Sequence, residues 1–361
     1  MCERERSLEN INRIIAQPVY DVIIMIYSCF RQLFKRTEKK KRNKYFKIMA
    51  ANLQSNTFNT QTYDHFYVNG RLQIVFDMET GDMDDFITLL LLLGHPQVNL
   101  KAVTVVPGTP DQIGFIRHVL TLFNRTDLPL GVYNMNAQPS LSRFHYKVYD
   151  AAAIKESREA LDACEVLVNH CDERTILICG GPLSNVRKAL ETGKFKLGRL
   201  VVQGGFAGDN IVPPKKRINR FNGLLTSTAF NLDSDVESAL IVLQDKTIGE
   251  KYFVSKNVCH RVHYTRDTHK ELEPIKNKSL SLKEIHRVMT IYLRRTDIYG
   301  KVFHDPLAAC CAIDLTIGEW RDVELYLDEN TKQWGSRIVE HPNVKIIIDY
   351  NRQKFLRTLF A

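Results

Sequence analysis

Several familiar signatures are missing from this chain. No G-x-G-x-x-G follows an apolar strand and no G-x-x-x-x-G-K-[ST] occurs, which excludes the dinucleotide and P-loop phosphate cradles. The eight cysteines include no C-x-x-C and no regular spacing, which at this length argues for reduced thiols and a reducing compartment. Cys310 and Cys311 read as core. His145, His260, His263 and His269 show no H-x-x-x-H or H-x-H spacing, so no zinc is expected. The apolar run Val22 to Phe30 is too short to span a bilayer and abuts Asp21. No small-residue cleavage site follows a basic start, so no secretory signal is expected, and the cytoplasm is the expected location.

The charge is uneven. The 361 residues carry a formal net charge of +9. Residues 1–50 hold twelve Lys/Arg against five acids, a surplus of seven, which leaves +2 for the other 311 residues. Basicity is therefore a property of the tail and not a nucleic-acid footprint on the folded body. Residues 1–65 read as a basic, poorly ordered extension and polar linker, residues 66–361 as a single domain. The rival reading of the tail is weak contact with a membrane surface through residues 20–47, where an apolar patch, Cys29 and the basic run Lys35 to Lys47 adjoin. On the favoured reading, removing residues 1–60 leaves activity intact.

What the chain does have is one concentrated stretch, Leu72 to Leu93. An apolar run, Leu72 to Phe76, reads as a buried strand, and a helical apolar run starts at Phe86. Between them lie five acids in nine positions: Asp77, Glu79, Asp82, Asp84 and Asp85. Acids at the carboxyl end of a strand sit where open α/β sheets bind ligands. Crowded carboxylates raise one another's pKa unless a cation neutralises them, and oxygen ligands suit Ca²⁺ or Mg²⁺.

Beyond Leu93 the chain alternates strands (Val98 to Val106, Leu128 to Val132, Thr175 to Cys179, Leu200 to Gln203) with helices (Asp111 to Asn124, Asp150 to His170, Asp235 to Leu243). That order predicts an α/β fold: a mostly parallel open sheet with helices on both faces. Asp322 to Leu327, Ser336 to Glu340 and Val344 to Ile348 read as a small antiparallel C-terminal addition, and Asn351 to Phe360 as a closing helix. Ser281 and Glu284 form a capping-box pattern for a helix to Arg295. Pro306 suits the first turn of a helix, which puts Asp305 at or near its N-cap. Asp77, Pro107-Gly108-Thr109, Gly180-Gly181 and Gly204-Gly205 all end strands, so they fall on one edge of the sheet, where a pocket is expected.

These residues, taken in order, resemble the inosine–uridine-type nucleoside hydrolases. Asp77 to Asp85 looks like that family's Asp-x-Asp-Pro-Gly-x-Asp-Asp motif, with one residue more. Val103 to Gly108, Asp127 to Tyr133, Gly181-Pro182-Leu183-Ser184-Asn185, Gly204-Gly205, Asn210, Phe230-Asn231 and His304-Asp305-Pro306-Leu307 are similar to its later elements. The resemblance implies Ca²⁺ (or Mg²⁺) and metal-dependent N-glycosidic cleavage of a nucleoside-like small molecule. It implies Asp84, Asp85, Asp305 and the Gly180 carbonyl as metal ligands, with Asp77 also in reach. Asp84 would touch ribose as well, and Asn210 and Asn231 would bind its hydroxyls; Thr109 stands where the family has a further Asn. Glu79 falls nearest the general-base position, with Asp77 as the alternative. His304 is the candidate acid for the leaving base, with a packed core histidine as the equal rival. Tyr292, Arg295 and Tyr299 read as base-pocket lining or, preferably, packing. Departures include Ala229 for a ribose-binding Glu, Thr80 for Pro, and an insertion near Pro214 to Leu225. The insertion carries Lys215, Lys216, Arg217 and Arg220, which could reach an acidic group on the substrate. A homo-oligomer is compatible with all of this. Rival readings are a non-catalytic nucleoside or ribosyl-ligand binder on the same fold and a Mg²⁺-dependent phosphohydrolase with an aspartyl nucleophile.

Overall fold

The computed structural model describes residues 65–150, 152–294 and 298–361. The expectations for residues 1–64 and for Arg295 lie outside the described residues.

A twelve-stranded sheet carries the molecule. Its first half runs β1 (Tyr67–Val68), β2 (Arg71–Met78), α1 (Asp84–Gly94), β3 (Val98–Val105), α2 (Pro110–Leu122), β4 (Leu130–Val132), α3 (Arg143–Val148), β5 (Leu161–Asp162) and α4 (Ala163–His170). The chain then returns to the centre with β6 (Thr175–Cys179), α5 (Ser184–Glu191), β7 (Leu197–Gln203), β8 (Thr226–Ser227), α6 (Phe230–Asp233), α7 (Val236–Gln244), β9 (Ile248–Val254) and α8 (Lys256–Cys259). A hairpin-like pair, β10 (His263–Thr265) and β11 (Gly300–Val302), encloses α9 (Arg266–Leu272) and α10 (Leu280–Leu293). The end is α11 (Asp305–Ile313), β12 (Gly318–Leu327), β13 (Trp334–Arg337), β14 (Val344–Tyr350) and α12 (Arg352–Leu359).

The strand order is β5-β4-β3-β2-β6-β7-β9-β14-β12-β13-β8, parallel from β5 through β14 and antiparallel beyond. The chain leaves β2 toward one edge and comes back to β6 on the other side. That reversal opens a crevice at the carboxyl ends of β2 and β6, the usual ligand position in such sheets. The parallel sheet follows from the strand sequences: β2 is buried from Leu72 to Met78, with Ile74, Phe76 and Met78 in one core and Val75 in the other. Apolar runs without polar alternation need cover on both faces. No helix among the described residues is long and apolar enough to cross a membrane.

Three local expectations need correction. Residues 152–160 are not helical; the chain runs over α2 instead, with the Ser157 amide donating to the Pro110 carbonyl and the Arg117 guanidinium to the Glu159 carbonyl, before β5 pairs with β4. Its alanines and glutamates favour a helix locally, and tertiary contacts override them. The cap of α10 is Ser279, not Ser281: Ser279 accepts from the Leu282 amide, while Ser281 donates to the Leu90 carbonyl at 2.7 Å. α1 and α10 meet there so closely that a Cβ on Gly94 would stand 2.3 Å from that of Ser281. The C-terminal addition is antiparallel only in part, since β14 also pairs in parallel with β9, a strand the sequence reading passed over. Asp305 takes the first position of α11, next to the N-cap His304, as expected. The amides of His304 and Asp305 point to Asp84 Oδ2, at 3.0 and 3.4 Å, so an acid from α1 caps α11.

Candidate active site

Asp77 is the last carboxylate inside β2. It is fully buried, faces Thr104 of β3 and Cys179 of β6 across the ladders, and accepts on Oδ1 from the Thr104 hydroxyl (2.6 Å) and the Asn185 amide (2.8 Å). Its Oδ2 is buried without a partner. Burial pushes it up to about 6 against the pull of those two donors.

After β2 the chain crosses to the N-terminus of α1 and presents Asp84 and Asp85, each about 1% exposed. The N-terminus of α11, buried along its whole length, brings in Asp305. Ligand atoms of Asp84, Asp85 and Asp305 all lie within 4.8 Å of one another, though Asp305 is 220 positions along the chain. Helix N-termini favour anions, which is part of why these carboxylates can be held together. Asp85 and Asp305 are nevertheless pushed well up, by burial first and then by their acidic neighbours. Asp305 Oδ1 is buried and unpartnered. Gly180, at the end of β6, completes the wall: a Cβ there would stand 2.5 Å from Asp85 Oδ1 and 2.9 Å from Asp305 Oδ1.

Glu79 caps this group. Its amide donates to Asp85 Oδ1 at 3.1 Å, and its half-buried carboxyl is pushed up to about 7 by burial, then by Asp84 and Asp82. Asn231 lies on the other side, donating to the Gly180 carbonyl (2.9 Å) and to both the backbone and side-chain oxygens of Gln203.

The sequence reading missed Lys301. This lysine is 6% exposed on β11 and sits 2.8 Å from Asp82 Oδ2 and 3.3 Å from Asp84 Oδ1. Burial would raise the Asp84 pKa, but Lys301, then His304, outweigh it and hold it below the usual carboxylate range. A lysine in a short apolar run such as Lys301-Val302-Phe303 carries no local mark of burial. Four carboxyl groups, Glu79, Asp84, Asp85 and Asp305, thus crowd a site with one buried ammonium, a surplus of acids that ionises fully only with added positive charge. An all-oxygen donor set, unpartnered buried oxygens and that surplus fit a hard divalent cation.

Other expected site residues are engaged elsewhere. Thr109 is fully buried as the N-cap of α2, its hydroxyl bonded to Asp111 and to Gln112 Oε1. Asn210 is exposed and donates to the Ser336 carbonyl on the antiparallel edge. Within the insertion, Lys216 pairs with Glu319 and Asp349 and Arg217 with Asp209, which removes both from substrate contact. Arg220, itself exposed, stands 3.4 Å from His260 Nδ1. The His260 ring lies 5.0 Å from that of His304, and His304 Nδ1 is 3.0 Å from Cys259 Sγ. His304 is held below its ordinary pKa, chiefly by burial, so its imidazole is neutral near pH 7. Tyr292 packs edge-on to Phe144, and Tyr299 is 76% exposed against His263.

The family model described as inosine-uridine preferring nucleoside hydrolase matches residues 74–357. A protein from Enterobacter sp. (strain 638), named a pyrimidine-specific ribonucleoside hydrolase, is 27% identical over 322 residues, covering 80% of this chain and 96% of its own. An uncharacterised protein from Aquifex aeolicus (strain VF5) is 27% identical over 295 residues, 78% and 96% of the two chains. Among solved structures, an inosine-uridine preferring nucleoside hydrolase from Bacillus anthracis aligns with a TM-score of 0.60 at 19% identity, over 80% of this chain and 98% of that one. The purine-preferring ribonucleoside hydrolase from Gardnerella vaginalis gives 0.59 at 16%, over 80% and 96%.

Proposed function

The chain belongs to the inosine-uridine preferring nucleoside hydrolase family, and from that premise we propose that it hydrolyses the N-glycosidic bond of a nucleoside or related ribosyl compound, with Ca²⁺ held by Asp84, Asp85, Asp305 and the Gly180 carbonyl. The observation that carries this reading is the meeting of Asp84 and Asp85 with Asp305 at the crevice between β2 and β6.

A hard divalent cation supplies one thing there: it lowers the pKa of a water molecule it holds. The protein's own groups do the rest. Glu79 takes the proton from the attacking water; its carboxyl lies at the mouth of the group, and a base poised near neutral pH is well matched to that task. Asp77 acts beneath it, its Oδ1 fixed by Thr104 and Asn185, and so holds the ends of β2, β3 and α5 together. Cleavage passes through an oxocarbenium-like state, and the surplus negative charge favours the positive charge growing on the sugar. Asn231 stands beside the Gly180 carbonyl and positions the sugar hydroxyls. His304, as a neutral imidazole, donates a hydrogen bond to the departing base. Arg220, at His260, meets an acidic group on the substrate, which favours a ribosyl compound carrying a phosphate or carboxylate over a plain nucleoside.

The test is a reducing-sugar assay across ribonucleosides, 2′-deoxynucleosides and nucleotides, with and without a chelator. Sugar release that the chelator abolishes is expected. Phosphate release without sugar release points to a phosphohydrolase; tight calorimetric binding without either product points to a binder.

A further inference from the structure

Away from the acidic crevice, the segment between β10 and β11 gathers a second set of donors. His269 on α9, Glu273 in the short 3₁₀ turn Glu273–Ile275 and His286 on α10 each offer an atom within 4.8 Å of the other two. The two imidazoles are stacked, with centroids 4.1 Å apart and planes 19° from parallel, and His286 Nε2 is 2.5 Å from Glu273 Oε2. From these we infer a second metal site, His269-Glu273-His286, for a borderline first-row divalent ion of the Zn²⁺ class.

The donor chemistry selects that class. Two imidazole nitrogens and one carboxylate suit Zn²⁺, Co²⁺ or Ni²⁺ and disfavour Ca²⁺ and Mg²⁺. With metal–donor lengths of about 2.0–2.1 Å, donors in a tetrahedral shell stand about 3.3 Å apart, so small side-chain rotations bring these three into place. The supporting contacts are present. His269 has an oxygen beside each ring nitrogen, the Tyr264 hydroxyl 3.1 Å from Nδ1 and the Thr290 hydroxyl 3.2 Å from Nε2. Whichever nitrogen binds, the other keeps a partner that fixes the tautomer, the usual arrangement behind a metal-bound histidine. The His286 side chain is 12% exposed, and its Nε2 is fully buried with no well-aligned hydrogen bond. Lys276 takes the other oxygen of Glu273, leaving Oε2 for the site. Glu273 is 55% exposed, which gives the ion an entry path and a water as fourth ligand.

The site reads as a clip. It ties α9 to α10 beside Tyr264, and Tyr264 pairs with Lys301 across β10 and β11. The His269–Glu273 spacing is four residues, one helical turn, but His286 arrives from the next helix, so no sequence motif announces the set.

The experiment uses the full chain, stripped by chelator and dialysed into excess Ca²⁺ so that an oxygen-only site is filled. It is then titrated with Zn²⁺ against a chromophoric chelator, and with Co²⁺ read by visible absorption. One Zn²⁺ equivalent and a Co²⁺ visible band are expected. Both should survive in Asp305→Asn, and Zn²⁺ affinity should fall by about 100-fold or more in His269→Ala, His286→Ala and Glu273→Gln, beyond the loss typical of an outer-shell change. Glu273→Gln, at a partly exposed position, decides the matter if a histidine variant misfolds. Absence of a Zn²⁺ equivalent, its loss in Asp305→Asn, or its persistence at full affinity in Glu273→Gln overturns the inference.

Discussion

Lys301→Met tests how the acidic crevice is balanced. The substitution keeps most of the buried stem and removes the ammonium. The Lys301–Asp84 pair, at 3.3 Å with both side chains under a tenth exposed, is the one that matters; Asp82 is 54% exposed and contributes little. At an effective dielectric of about 20, charges at that distance attract by about 5 kcal/mol, and breaking a buried pair typically costs about 3–5 kcal/mol. Asp84 keeps two amide donors, from His304 and Asp305, so the loss should fall at the low end, about 3 kcal/mol. The variant crevice also has one more uncompensated negative charge. A divalent cation should then bind more tightly, and a tenfold gain is about 1.4 kcal/mol of added ligand stabilisation at saturation. Urea unfolding of wild type and variant, each in chelator and in saturating Ca²⁺, reads both quantities. The expected pattern is a marked loss in chelator that Ca²⁺ partly repairs, with a larger Ca²⁺ increment in the variant. A loss below about 1 kcal/mol in chelator, or equal Ca²⁺ increments in the two proteins, refutes the reasoning.

Other perturbations separate the remaining roles. Glu79→Gln should lower kcat by about 10²–10⁴-fold with KM little changed; undiminished turnover would remove Glu79 as the base. Asp305→Asn should abolish Ca²⁺ binding in calorimetry, yet raise stability in chelator by about 1 kcal/mol, because it removes an acid crowded by Asp84 and Glu79, one of whose buried oxygens has no partner; a stability loss would speak against that crowding. His145 is buried among Phe86, Phe115 and Phe144, and burial lowers it from 6.5 to about 4. Between those values the unfolded chain takes up a proton that the folded chain refuses, so this contribution is intact above pH 6.5 and lost as pH falls toward 4, about 3 kcal/mol in all. His145→Phe should flatten stability against pH over that window, and an unchanged slope would contradict the assignment.

The parts legible in the sequence are those where local pattern and burial say the same thing. β2, β3 and β6 each hold a mostly apolar, buried stretch, Ile74–Phe76, Ala102–Val105 and Ile176–Cys179, and strands of that kind sit inside a covered sheet. The acidic stretch declared itself because five carboxylates between two apolar elements have few innocent explanations. The segment from 152 to 160 was illegible for the opposite reason: its residues are good helix formers, and what straightens them is backbone bonding to α2 from residues far away in sequence. Lys301 and the His269–Glu273–His286 set share that cause. Each depends on β10 and β11 pairing across more than thirty residues, and no spacing within a single element reports such a meeting.

The same distinction explains why the acids were easier to read than the substrate. Asp77, Asp84, Asp85 and Asp305 stand on a strand end and two helix N-termini, so the sheet and the packing of α1 against α11 fix them together. The groups expected to meet the sugar and the base stand on connections: Thr109 in a cap, Asn210 in a loop bonded to β13, Ala229 before a one-turn helix, and the insertion with its ion-paired Lys216 and Arg217. Connections re-form their contacts without disturbing the sheet, so they are where specificity changes while chemistry persists. Because Lys216 and Arg217 are satisfied by Glu319, Asp349 and Asp209, the insertion is a folded part of the wall and Arg220 is the cation it carries toward His260 and His304. If Arg220 reads an acidic group on the substrate, Arg220→Ala should raise KM for an anionic ribosyl compound by about tenfold, as expected for one charge-assisted hydrogen bond, and leave KM for an uncharged nucleoside where it was. An equal rise for both would make Arg220 a packing partner of Phe221 and His260, and substrate choice would then rest on the groups that line the crevice itself.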